Sequence, residues 1–127
     1  MNSMHCSHIL FASASSFLLW KMQVELKSAF GRVLQWVRVK QKLTQEDFAT
    51  VSSRTYISTL ERGRYVPTIE KLDSIAPVLG VHPITLLVGS YALKEDRSVA
   101  ELLKQVEQEA ERFELTANLA PVGRPSR

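Results

Sequence analysis

Arg54, Thr55, Ser58, Thr59 and Arg62 recur at a spacing that puts them on one side of a short helix, while Tyr56, Ile57 and Leu60 fall on the other. A guanidinium offers a planar fork of donors, and a small hydroxyl both donates and accepts in little space. A purely structural surface helix more often carries Glu/Lys pairs at such positions. Arginine with small hydroxyls suits base edges and phosphates instead. The chemistry offered is therefore hydrogen-bonded recognition and not bond making. Candidates for catalysis are few: His5, His8 and Cys6 lie in the first 26 residues, and His82 precedes Pro83 as a helix cap. Gly63, Gly80 and Gly89 are isolated, at what read as helix ends, so no glycine-rich phosphate loop is expected. His5-Cys6-x-His8 supplies three potential ligands at one chain end, an incomplete metal site. The reading is a non-enzyme with no cofactor and no metal.

Charge points to the same partner class. The chain has 127 residues and a formal net charge of +3. Residues 27–93 hold nine Lys/Arg against five Asp/Glu, an excess of +4, whereas residues 94–127 hold six against seven. A basic domain favours a polyanion through phosphate neutralisation and counterion release. The lone Cys6 excludes an intrachain disulfide and fits a reducing, cytoplasmic setting. No run reaches the roughly 18 to 20 apolar residues of a membrane span, so no membrane partner is expected.

The elements that must position the polar face follow from periodicity and caps. Phe30, Val33, Leu34 and Val37 form one helical stripe, predicting a first helix from about Ser28 to Gln41, with Trp36 and Val39 apolar but off that stripe. Thr44 with Asp47 makes a capping-box variant opening a second helix, about Gln45 to Val51, with Phe48 and Ala49 inward. Ser52-Ser53 breaks it, Ser53 caps a third helix from about Arg54 to Arg62, and Gly63 stops that helix. Thr68 caps a fourth, with Ile69, Leu72, Ile75, Ala76 and Leu79 inward and Gly80 at its end. Pro77 predicts a kink or tightening near 73–77. His82-Pro83 opens a fifth, about Pro83 to Val88, burying Ile84, Leu86 or Leu87, and Val88.

Leu34-x-x-x-Arg38, Leu43-Thr44-Gln45-Glu46, Tyr56-Ile57-Ser58, Leu60-Glu61-Arg62-Gly63, Pro67-Thr68 and Leu79-Gly80-Val81-x-Pro83 together resemble the Cro/repressor-type helix-turn-helix family, the xenobiotic-response-element family, over about 60 residues. The resemblance implies an all-α fold: a compact five-helix domain whose third helix enters the major groove of double-stranded DNA. It also implies that Arg54, Thr55 and Thr59 touch bases, and that Gln45, Ser53, Ser58, Arg62 and Arg64 lie at phosphates. Arg38 and Glu61 match a pair tying the first helix to the third. As an exposed pair it would contribute under about 1 kcal/mol. There are three departures. The Ala49–Tyr56 link is about two residues short, with Ser52 or Ser53 in place of the usual turn glycine. Lys42 stands where many members have glycine, and Pro77 lies within the fourth helix.

The flanks differ from this domain (27–93). Residues 1–26 contain the apolar, serine-rich run ILFASASSFLLW without a basic start. They read as a leader, either a mis-assigned start ahead of Met22 or a disordered arm. Ser98-Val99-Ala100-Glu101 is a capping box opening a sixth, amphipathic helix within 94–115, with Val99, Leu102, Leu103, Val106, Ala110 and Phe113 on one face. That face packs on its own domain or meets a partner, a second copy or another protein, through residues 98–115. Residues 116–127 read as a disordered tail. The expected function is sequence-specific DNA-binding transcriptional regulation as a homodimer, in a bacterial or phage setting. The alternative is an antitoxin-like protein-binding module that binds DNA for autoregulation.

Overall fold

The computed structural model describes residues 24–115, and the leader readings on 1–23 and the tail reading on 116–127 lie outside them. Among the described residues there are five α-helices and one 3-10 turn: α1 (Leu26–Lys40), the 3-10 turn Gln45–Phe48, α2 (Arg54–Glu61), α3 (Ile69–Leu79), α4 (Pro83–Glu95) and α5 (Val99–Arg112). The stripe of α1 places Phe30 and Leu34 in a core with Phe48, Ile57, Leu60, Leu72, Ile75, Ala76, Leu79 and Leu86. The 3-10 turn thus contributes a single anchor, Phe48, and α2 contributes Ile57 and Leu60. α3 and α4 meet at a bend of 103°. Among the described residues no single helix is long and apolar enough to cross a membrane.

The helix starts after α1 are capped by side chains, while Glu25 ahead of α1 makes no such bond. Ser53 Oγ accepts from the Tyr56 amide at 3.0 Å, Thr68 Oγ1 from the Lys71 amide at 3.1 Å, and His82 Nδ1 from the Ile84 amide at 3.0 Å. Reciprocal capping boxes join Thr44 to Asp47 and Ser98 to Glu101.

Helix ends follow one rule with different residues. After α1, α2, α3 and α4 the chain turns through a left-handed residue, and the residue after it donates back five positions: Leu43 to Arg38, Arg64 to Thr59, Val81 to Ala76, Arg97 to Ala92. The left-handed residues are Lys42 (φ 60), Gly63 (φ 76), Gly80 (φ 75) and Asp96 (φ 54). Lys42 therefore adopts the conformation that glycine would take more cheaply.

Several expectations are corrected. The second element is not an α-helix to Val51. A 3-10 turn rises about 2.0 Å per residue against 1.5 Å for an α-helix, so it spans the same gap with fewer residues where the link is short. Ala49 is exposed because the chain has already left the helix there. Ile69, at the first position of α3, is 80% exposed, and Ile84, near the start of α4, is 51% exposed. Each lies in its helix's first turn, above the core. α4 runs to Glu95, beyond the expected Val88, and Gly89 sits within it, where an added Cβ would stand 3.3 Å from Val33 Cγ1. Pro77, an exposed residue, does not end α3, which runs from Ile69 to Leu79 around it. α5 ends at Arg112, short of the expected Leu115.

Candidate nucleic-acid interface

α2 lies across α1 at a contact that only a residue without a side chain permits. A Cβ added at Gly31 would stand 2.5 Å from the Leu60 carbonyl oxygen and 2.7 Å from that of Glu61. About two turns further along α1, Arg38 grips the same end of α2. Its Nε donates to Glu61 Oε2 at 2.5 Å and its Nη2 to Glu61 Oε1 at 3.0 Å. Its Nη1 donates to the Leu43 carbonyl at 2.9 Å. The side chains are 12% and 4% exposed. This is a buried bidentate pair, not the surface pair of under about 1 kcal/mol. The hydrogen bonds to Glu61 hold the Arg38 guanidinium above its ordinary pKa.

Gln45 joins this network, its Nε2 donating to Glu61 Oε1 at 3.0 Å. The amide thereby fixes the start of the 3-10 turn to the end of α2 and keeps one N–H for another acceptor.

The short link between Phe48 and Arg54 is closed by hydrogen bonds. Val51 and Ser52 amides both donate to the Phe48 carbonyl, at 2.9 and 2.8 Å. Lys71, from α3, donates to the Val51 carbonyl at 3.0 Å and lies 5.3 Å from the Tyr56 ring centroid. Tyr56 stacks obliquely on Tyr65, ring centroids 5.8 Å apart. Burial, and secondarily Tyr65, pushes the Tyr56 phenol above its ordinary pKa. Lys71 had no distinguishing signal in the sequence. Gly31 had one: a glycine inside a helical stripe marks a close approach.

The outer face of α2 holds Arg54, Thr55, Ser58, Thr59 and Arg62, with Ser53 ahead of it and Arg64 beyond Gly63. Of these, Ser58 and Thr59 are half-buried and the rest exposed. The structure thus gathers the expected base- and phosphate-contact residues on one surface, and Gln45 borders it from the 3-10 turn. Thr59 Oγ1 donates to the Thr55 carbonyl at 2.8 Å, leaving its oxygen as an acceptor. Ser53 Oγ already accepts from the Tyr56 amide, leaving its proton to donate. Arg54 Nε lies 4.0 Å from Glu46 Oε2 with both side chains mostly exposed, a pair loose enough to open. Among the described residues no cluster of His, Cys, Asp or Glu could hold a metal ion.

This geometry coincides with a family match. A helix-turn-helix family profile matches residues 34–86. Residues 34–86 resemble a helix-turn-helix domain. The chain is 28% identical over 94 residues to the immunity repressor protein of Bacillus phage phi105, a match covering 65% of each chain. It also resembles the crystal structure of the clp gene regulator ClgR from Corynebacterium glutamicum, with a TM-score of 0.52 and 27% identity, covering 76% of this chain and 99% of that one.

Proposed function

We propose that the protein is a sequence-specific double-stranded DNA-binding transcriptional regulator of bacterial or phage type, acting in the cytoplasm as a homodimer. The observation that carries this reading is the polar outer face of α2, whose C-terminal end is held by Gly31 and Arg38 of α1. In this reading α2 enters the major groove. Arg54, Thr55 and Thr59 read bases, and Ser53, Ser58, Arg62 and Arg64 meet phosphates together with the free N–H of the Gln45 amide. Resemblance to a phage repressor and a bacterial gene regulator supports the assignment.

One short helix reads only a few base pairs, so useful specificity calls for two copies on half-sites about one helical turn apart. The absence of any buried residue in α5 favours a protein contact through residues 98–115. The test is a salt-controlled titration of Arg54→Ala. The variant loses specific affinity by about 1–3 kcal/mol while non-specific binding changes little. Equal loss on both would make Arg54 a phosphate contact only.

A further inference from the structure

Two exposed apolar faces remain outside the DNA-reading surface. On α1, Gly31 and Arg38 face α2 and Val33 faces α4. That leaves Arg32, Trp36 and Val39 pointing away from both, around a shallow depression of about 290 Å³. Trp36 is 66% exposed and Val39 57%, with Lys40 4.9 Å from the Trp36 ring centroid. On α5, Val99, Leu103 and Val106 form a stripe that is about half exposed. Arg97 fixes the base of this arm, its Nη1 donating to Gln105 Oε1 at 2.7 Å and to Glu95 Oε1 at 3.2 Å.

We propose that these two faces are one interface: α5 of one copy docks across the Arg32–Trp36–Val39 face of a second copy, and the second copy's α5 returns the contact. The choice of occupant rests on charge. Beside Trp36 on this face of α1 stand the basic Arg32 and Lys40, and α1 holds no acidic residue, whereas α5 carries four glutamates against Lys104 and Arg112. Glu107 and Glu111 flank the Val106–Ala110 part of the stripe, opposite where Arg32 and Lys40 flank Trp36. Pairing α5 with another α5 would set like charges together. Area argues for reciprocity: one short helix on one patch buries roughly 600–800 Å², about half of what a stable interface needs, and a twofold axis doubles it. Tryptophan at the centre of such a patch is the residue type that most often anchors binding. This deepens the homodimer reading by naming its surfaces and is independent of which bases are read.

Sedimentation equilibrium of the full chain over a dilution series tests it, with and without duplex DNA carrying two half-sites. Wild type is a concentration-dependent dimer. Trp36→Glu and Val106→Glu each raise the dimer dissociation constant at least about 30-fold, with helix content by circular dichroism unchanged. Arg32→Glu with Lys40→Glu weakens the dimer, and adding Glu107→Lys with Glu111→Lys restores it. If wild type dimerises and only Val106→Glu dissociates it, the α1 face is not the dock and the proposal falls while the dimer reading stands. If wild type is monomeric both free and on DNA, both fall. In either case the DNA-binding reading is judged separately, by the affinity of the monomer for a single half-site.

Discussion

Gly31 of α1 and Leu60 of α2 are in backbone contact: the Leu60 carbonyl oxygen lies 2.5 Å from where a Gly31 Cβ would be. No rotamer change relieves a clash with a backbone oxygen. Gly31→Ala gains up to about 1 kcal/mol of helix propensity but forces α2 away from α1. The expected result is a net loss of about 1–3 kcal/mol in urea unfolding. A loss of specific DNA affinity in the surviving folded fraction should accompany it.

The second clamp on α2 is the Arg38–Glu61 pair. Arg38→Met leaves Glu61 buried with only the Gln45 amide as a partner and costs about 3–5 kcal/mol. Combining it with Glu61→Met removes the stranded charge, so the double variant is less destabilised than the sum of the singles. Strict additivity in the double-mutant cycle would contradict the pair's geometry.

Lys42 closes α1 at φ 60. A left-handed non-glycine residue costs about 1–2 kcal/mol, and glycine returns part of that gain through its freer unfolded state, about 0.4–1 kcal/mol. Lys42→Gly is expected to stabilise the domain by about 0.5–1 kcal/mol, read as a raised melting temperature. A lowered one would show that the lysine side chain itself contributes there.

Gln45→Glu tests the bridge between fold and interface. It sets a carboxylate beside Glu61 and removes the amide N–H proposed for a phosphate. Stability falls, and DNA affinity falls by about tenfold or more at low salt, with a shallower dependence on salt. Unchanged affinity in the folded variant would remove Gln45 from the interface.

Much of this was legible in the sequence because caps and stripes are local. Ser53, Thr68, His82 and Ser98 open helices as their side-chain chemistry dictates, and the outer face of α2 follows from the burial of Ile57 and Leu60. What was not legible depends on distances between segments. The second element is a 3-10 turn ending at Phe48 and not a full helix because the short link that follows must still reach Arg54. The Arg38–Glu61 pair is buried because Gly31 brings the helices together. Lys71, an ordinary surface lysine by composition, holds the Val51 carbonyl only because α3 passes beneath the turn. Ile69 and Ile84 were misplaced because periodicity does not say that the first turn of a helix stands clear of the core.

The central claim is that the outer face of α2 reads a duplex sequence. Selection of bound DNA from a random duplex pool by the full-length protein tests it most directly. The account predicts a palindromic enriched site with half-sites about one helical turn apart, and loss of that enrichment on Arg54→Ala with Arg62→Ala. Enrichment no greater for wild type than for that double variant would contradict it.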